Sequence, residues 1–132
     1  MKGFNANIEE QTLQNNNFRQ VLYTGNNTQL VLMSLEPNED IGVEVHEHND
    51  QFFRFESGEG KCVIDDNEYE LKDGTAIIVP AGAEHNIINT SSTEKLKLYT
   101  LYSPPHHKEG TVRETKEEAM ASEPHFDGTT TE

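Results

Sequence analysis

A short stretch of the sequence, VEVHEHNDQF, places ionisable side chains at alternate positions. Glu44, His46 and His48 are separated from one another by single residues. In an extended strand, alternate side chains point to the same face, so these three groups would share one face and the two valines would take the other. Imidazole and carboxylate groups bind divalent transition metals and also transfer protons. The stretch therefore predicts a site for metal binding or acid–base chemistry.

The elements that would position these residues are β-strands. Runs of apolar or alternating residues recur along the chain, separated by turn sequences such as GNN, HND, SGEG, KDG and AGAE. With no helical pattern among them, they predict an all-β sandwich or barrel. The predicted strands are 19–24, 28–35, 41–46, 51–57, 60–65, 68–72, 75–80, 85–90 and 95–102.

The length of the chain, 132 residues, is that of one domain. We expect an N-terminal extension over 1–18, a barrel over 19–103 and a C-terminal segment over 104–132. Within that segment, 114–122 can form a short surface helix, and the residues that follow it have the composition of a solvated tail.

Charge and composition exclude several classes of function. The chain has 10 Lys and Arg against 24 Asp and Glu, and its net charge of -14 would repel phosphate backbones and anionic membranes. Nucleic acid and membrane are therefore not expected partners. A single cysteine, Cys62, forms no internal disulfide, and the N-terminal residues contain no apolar run typical of a signal peptide. We expect a cytoplasmic protein.

A second stretch, GTAIIVPAGAEHNIIN (74–89), carries a specific motif. Gly74 is followed after five residues by Pro80, and then come Gly82, His85 and Asn89. This stretch resembles the second motif of the cupin superfamily, and all five named positions match. The resemblance implies a single-domain cupin, which is a β jelly-roll barrel, with His85 as a metal ligand.

The first cupin motif has two histidines one residue apart, then a Glu, and then a Gly after six more residues. Here Gln51 stands where the family has Glu, and Gly58 follows it after six residues. The 15 residues between the two motifs (59–73) are a spacing usual for compact cupins. The resemblance implies that His46, Gln51 and His85 are metal ligands.

The fourth ligand is either Glu44 or His48. These residues would lie about 13 Å apart in a regular strand, which is too far for both to share one ion with His46. The motif spacing favours Glu44, whereas side-chain chemistry favours His48, with a bulge before Gln51 taking up the difference in spacing. We predict His48 as the ligand, which leaves Glu44 as the candidate catalytic base.

One divalent transition metal is the expected cofactor, and Mn, Fe, Co, Ni, Cu and Zn are all compatible with mixed nitrogen and oxygen ligands. Because the amide of Gln51 offsets none of the charge of the ion, the site would suit an anionic or oxygen-rich small molecule.

Two further strings, DQFFRFESGEG and YSPPHH, resemble a bacterial group of small cupins described as mannose-6-phosphate isomerase-like. The resemblance implies a sugar or sugar-phosphate isomerase, although this chain has VEVHEH where phosphomannose isomerase cupins have QxHxH followed by Glu. A metal-dependent dioxygenase and a non-catalytic small-molecule-binding cupin are the alternatives.

The remaining histidines and the cysteine are not expected to take part in the chemistry of the site. His106 and His107 follow two prolines in a predicted loop and are assigned to the surface, with closure over the barrel mouth as the alternative. His125 lies in the predicted tail. Cys62 alternates with Val63 in a strand and is predicted to be a core residue. The apolar strand over 28–35 could pair two copies of the chain, so we expect a homodimer, which light scattering would test.

Overall fold

Two antiparallel β-sheets pack against each other and enclose the apolar core. The computed structural model describes all 132 residues. Its elements are α1 (Ile8–Gln14), β1 (Arg19–Thr24), β2 (Gln29–Leu35), β3 (Glu44–Val45), β4 (Asp50–Ser57), β5 (Gly60–Ile64), β6 (Asn67–Leu71), β7 (Ala76–Val79), β8 (Glu84–Asn89), β9 (Leu96–Ser103), β10 (Val112–Arg113) and α2 (Lys116–Ala121).

The larger sheet has the strand order β10-β1-β2-β9-β4-β7, and the smaller sheet has the order β3-β8-β5-β6. Strand β9 lies at the centre of the larger sheet, where Leu98 is opposite both Met33 of β2 and Phe55 of β4. In the smaller sheet, Cys62 of β5 is opposite Ile87 of β8. All five of these side chains are buried, so the central strands of the two sheets supply the middle of the core.

The all-β jelly-roll fold predicted from the sequence is confirmed. Each of the nine predicted strands is present, and most of their ends lie within one or two residues of the predicted ends. The largest difference is at 41–46, where only Glu44 and Val45 form the strand. The short strand β10 had no counterpart in the sequence prediction, because two paired residues carry no readable periodicity.

Cys62 is a core residue, as predicted. Its side chain has no solvent exposure, and burial raises the pKa of its thiol to about 11. Because the thiolate is the reactive form of cysteine, this residue is chemically inert in the folded protein.

The N-terminal extension contains a helix that the sequence prediction did not include. Asn7 caps α1 by accepting a hydrogen bond from the backbone N–H of Glu10 at 3.1 Å. At the other end, Lys97 Nζ of β9 donates to the carbonyls of Leu13 and Asn15 at 2.9 and 2.6 Å. The charge of this lysine satisfies carbonyls that the end of a helix leaves free, and so it fixes α1 against the sheet.

The predicted surface helix is present as α2, where Thr115 is the N-cap and Ala119 packs into the core. Lys116 Nζ lies 2.6 Å from Asp40 Oδ1, which fastens this helix to the barrel. Neither α1, with seven residues, nor α2, with six, is long and apolar enough to cross a membrane.

The last residues of the chain are largely exposed and also make hydrogen bonds to the rest of the protein. The Thr131 N–H donates to the carbonyl of Thr24 at 2.9 Å. The Glu132 side chain accepts from the backbone N–H of Lys2 at 2.6 Å and from the Tyr23 hydroxyl at 2.8 Å. The polar composition of the tail therefore serves hydrogen bonds that join the two ends of the chain.

Candidate metal centre

Strands β3 and β8 bring three potential metal ligands together. Glu44 is paired directly with His85 across the two strands, and His46 comes directly after β3. One ligand atom from each of these three residues lies within 4.8 Å of the other two. His85 is only 4% exposed, and the other two are half-buried. Residues far apart in the sequence thus converge on one point.

Hydrogen bonds orient both imidazoles. Nδ1 of His85 donates to the carbonyl of Ala83 at 3.1 Å, so Nε2 of that ring carries no proton and has a free lone pair. Nε2 of His46 donates to Oε2 of Glu44 at 2.9 Å. A backbone carbonyl behind the ring, as for His85, is a typical support of a metal-binding histidine. The contact between Glu44 and His46 places two potential ligand atoms side by side.

The charge states follow from burial and these contacts. Burial lowers the pKa of His85 more than its contact with Ala83 raises it, which favours the neutral imidazole that can act as a ligand. For Glu44, burial opposes ionisation, but the hydrogen bond from His46 and the nearby charges hold the pKa of the carboxyl below its usual value. At neutral pH the site therefore contains one carboxylate.

Gln51 contributes a buried oxygen with no hydrogen-bond partner. The residue is 3% exposed, and its Nε2 donates to Thr100 Oγ1 at 3.0 Å. The Thr100 hydroxyl in turn donates to the carbonyl of Phe52 at 2.8 Å, so it must accept from Gln51. This chain fixes the amide and leaves Oε1 of Gln51 unpaired. Because buried acceptors normally have a partner, this oxygen is free to bind another group, such as a cation.

The structure does not bring His48 to this group. Strand β3 ends at Val45, and Glu47 and His48 form an exposed turn. The sequence prediction of His48 as the fourth ligand relied on the chemistry of its imidazole and on a bulge before Gln51. The string HND is a turn-forming sequence, and this signal competes with the alternation of HEH. Glu44, placed by the sequence as the candidate base, takes the position beside His46.

Two further histidines line the site, whereas the sequence assigned them to the surface. The ring of His106 lies 4.4 Å from the ring of His46, centroid to centroid, and 5.3 Å from the ring of Tyr102. His107 is buried, and a hydrogen bond of 3.2 Å joins its Nε2 to the Tyr102 hydroxyl. Burial lowers the pKa of both histidines, that of His106 to about 4. Both rings are therefore neutral at physiological pH.

Gln29 explains why these histidines leave the surface. This residue of β2 is fully buried, and its Oε1 accepts from the backbone N–H groups of His106 and His107 at 3.1 and 2.9 Å. Its Nε2 donates to the carbonyl of His107 at 2.7 Å. One amide thus anchors the loop after the two prolines. The only sequence signal for this contact was a glutamine within an apolar strand.

A cavity of about 470 Å³ opens beside the group. Its size falls in the range of sites that bind small molecules. Glu44 and His46 belong to its wall, and residues of the C-terminal segment also line it. The other polar residues of the wall are Arg19, His106, His107, Lys116, Glu123 and His125. His125, which the sequence placed in an inert tail, thus also faces this cavity.

The donor set fits a divalent transition metal. Two imidazoles and one carboxylate within reach of one another are a common arrangement for such ions. The oxygen of Gln51 is a further candidate donor, because it is buried and has no partner. The carboxylate of Glu44 would offset part of the charge of the ion. The mixed nitrogen and oxygen donors do not select one metal of the first transition row.

Comparison with known proteins identifies the family. Residues 31–102, more than half of the chain, match the cupin domain family. This chain is a cupin. The matched range contains Glu44, His46, Gln51 and His85, whereas Arg19 and His106 lie outside it.

Several proteins are similar in sequence to this cupin over most of its length. The uncharacterized protein YrkC of Bacillus subtilis is 48% identical over 128 residues, which are 92% of this chain and 68% of that protein. An uncharacterized protein of Acanthamoeba polyphaga mimivirus is 46% identical over 110 residues, covering 81% of this chain and 69% of the relative. The crystal structure of BH2720 from Bacillus halodurans has a TM-score of 0.89 at 45% identity and covers 92% of this chain and 96% of that one.

The last residue of the second cupin motif has a structural role here. Asn89 is 1% exposed, and its Nδ2 donates to the carbonyls of Glu36 and Glu94 at 3.0 and 2.9 Å. Its Oδ1 accepts from the N–H of Ser91 at 3.0 Å. Asn89 therefore joins the connection after β2 to the one after β8, while His85 of the same motif faces the candidate metal centre.

Proposed function

We propose that this cupin binds one divalent transition-metal ion through Glu44, His46, Gln51 and His85 and isomerises a small sugar-like substrate. The observation that carries the proposal is the convergence of three ligand side chains at a cavity large enough for such a molecule. The resemblance of YSPPHH and DQFFRFESGEG to mannose-6-phosphate isomerase-like cupins supports the choice of reaction.

The ligand set in this proposal contains Glu44 in place of His48. Oε2 of Glu44 lies 2.9 Å from Nε2 of His46, whereas His48 is exposed in the turn that follows. A carboxylate beside two imidazoles also compensates charge, which a third imidazole would not do. The proposal thus takes Glu44 out of the role of catalytic base.

His106 takes that role. Its ring packs against His46 and Tyr102, lines the cavity and is half-buried. An isomerisation moves a proton between neighbouring carbons, so a base must face the substrate beside the ligands. A bound divalent ion supplies a Lewis acid that polarises a carbonyl or hydroxyl oxygen. His106 accepts the proton and returns it.

The assay uses metal-loaded protein with mannose 6-phosphate and follows the conversion by NMR. We expect turnover in the wild type and in His48→Gln, and a loss of about 100-fold or more in His106→Gln. His48 is the matched control because it is an exposed histidine of the same region. Equal activity of the two variants would contradict the role of His106, and no turnover by metal-loaded wild type would contradict the isomerisation of this sugar phosphate.

Oxygen chemistry is the second candidate. Two imidazoles and one carboxylate, the donors that Glu44, His46 and His85 offer, form the ligand set of non-haem iron oxygenases. An oxygen electrode separates the two candidates: isomerisation consumes no oxygen, whereas a dioxygenase consumes oxygen in step with substrate loss.

A further inference from the structure

Arg19 is a buried cation in the wall of the cavity. The residue belongs to β1, is 3% exposed and faces the side where Glu44 and His46 also lie. It is the only arginine in that wall. A guanidinium removed from water needs acceptors for its five N–H donors, because burying a charge without partners is costly.

These donors are incompletely satisfied. NH1 of Arg19 donates to Oε1 of Glu123, its only carboxylate partner. Its Nε is buried and has no hydrogen-bond partner. The rest of the group packs over the ring of Phe18, with 5.2 Å from Cζ to the ring centroid. Since a guanidinium fork holds a carboxylate best through two parallel hydrogen bonds, Arg19 has capacity for an acceptor that Glu123 does not fill.

A ligand could displace the Glu123 side chain from Arg19 more easily than it could move the buried Arg19. Its side chain is 36% exposed and follows the end of α2, outside any strand or helix. Apart from Arg19, its only close polar neighbour is Nδ1 of His107 at 3.5 Å, and burial lowers the pKa of that histidine so that it is neutral. Glu123 thus occupies the rim of the cavity, where a ligand entering from solvent would meet it.

The neighbouring charges favour an anion at this place. Lys116 also lines the cavity, and a divalent ion at Glu44, His46 and His85 would add positive charge. Only Glu44 and Glu123 contribute carboxylates to the wall. The cavity is therefore much less acidic than the chain as a whole, whose net charge is -14.

We infer that Arg19 is the binding residue for a carboxylate group of the substrate, and that the Glu123 carboxylate occupies its place until the substrate displaces it. The ligand class is a small polyhydroxy carboxylic acid, with the carboxylate on Arg19 and hydroxyl or carbonyl oxygens toward the metal centre. This substrate class rests on the proposed function, whereas carboxylate binding by Arg19 can be measured separately from it.

The test compares two probes that differ in one group, D-glucuronate and D-glucose, by thermal unfolding of the metal-loaded protein. In the wild type, glucuronate at about ten times its Kd should raise Tm by about 4 °C, and glucose should leave Tm unchanged. Glu123→Gln removes the competing carboxylate with little change of shape, so the same shift should need about ten-fold less glucuronate.

Two further variants control for charge and folding. Glu117→Gln lowers the negative charge of the chain by the same amount at an exposed position of α2 and should behave as the wild type. Arg19→Gln combined with Glu123→Gln removes both members of the ion pair, so neither charge is left buried alone, and this protein should not respond to glucuronate.

Equal shifts with glucuronate and glucose, or a glucuronate response in the double variant equal to that of Glu123→Gln, would overturn the inference. Metal content by mass spectrometry on the same samples separates the claim of a carboxylate site at Arg19 from the proposed metal-dependent function. Metal-loaded protein without an Arg19-dependent response contradicts the carboxylate site alone. An Arg19-dependent response in protein that binds no metal contradicts the proposed function alone.

Discussion

Oε2 of Glu44 lies 2.9 Å from Nε2 of His46, two residues further along the chain. The contact is possible because side chains two apart at a strand share one face. It places a carboxylate directly beside an imidazole, while the strand pairing sets His85 opposite Glu44. One strand pair and one residue beyond it therefore bring together Glu44, His46 and His85. The turn that follows carries His48 away from them.

Gly58 should tolerate no side chain. Its φ is +100°, and a Cβ atom there would lie 2.5 Å from the carbonyl oxygen of Lys95 in the backbone of the neighbouring segment. We expect Gly58→Ala to lower the free energy of unfolding by more than about 3 kcal/mol, because both the backbone conformation and the contact are unfavourable. Urea denaturation measures the loss.

Gly74 provides the matched control for this glycine. Its φ is +87°, but a Cβ atom there would have no neighbour within 4 Å. Gly74→Ala should therefore cost only about 1–2 kcal/mol, the contribution of the backbone conformation alone. Similar losses in the two variants would contradict the steric part of the explanation.

Asn89→Ala should destabilise the protein by about 2–4 kcal/mol, because the buried carbonyls and N–H group that Asn89 satisfies would lose their partner. Asn67→Ala is a suitable control, since Asn67 is exposed and makes one hydrogen bond, to the carbonyl of Ile64. Denaturation of both variants checks the difference. A loss at Asn89 no larger than at Asn67 would show that this motif residue is not structural.

The ion pair between Asp40 and Lys116 should make the docking of α2 depend on acid pH. Hydrogen bonds from Lys116 and Asn86 lower the pKa of Asp40. A depressed folded-state pKa contributes stability that is present above the ordinary value of about 3.9 and lost as the pH falls through the folded value. Because the carboxylate is 38% exposed, the contribution should stay below about 1 kcal/mol.

Asp40→Asn tests this prediction. The difference in unfolding free energy between wild type and variant should be constant from pH 7 to about pH 5 and should shrink below about pH 4, as the wild-type carboxyl takes up its proton. Urea denaturation at several pH values gives the two curves. A difference that persists unchanged at pH 3 would show that the effect is not electrostatic.

Much of the barrel could be predicted from the sequence, since alternating runs between turn residues mark the strands and the second motif fixes His85. What failed depended on contacts between distant segments. The positions of His106 and His107 in the wall of the cavity depend on the amide of Gln29. The hydrogen bonds of the exposed tail depend on Tyr23 and Lys2. Local composition describes these segments as polar loops and contains no information about their partners.

At the first motif, the sequence offered two competing local signals. The alternation of VEVHEH favoured a strand through His48, whereas HND favoured a turn, and the structure ends the strand at Val45. The position at which the strand ends therefore decides which side chain joins His46. The helix α1 was missed for a different reason: its seven residues are stabilised by Lys97 of a distant strand.

Metal content by mass spectrometry on untagged protein tests the central claim most directly, with His46→Ala, His85→Ala and the exposed His48→Ala compared with the wild type after incubation with divalent ions. Circular dichroism confirms that each variant is folded. We predict close to one metal ion per chain in the wild type and in His48→Ala, and a loss of about ten-fold or more in the other two. No bound metal in the wild type, or full retention in both His46→Ala and His85→Ala, would contradict the metal centre.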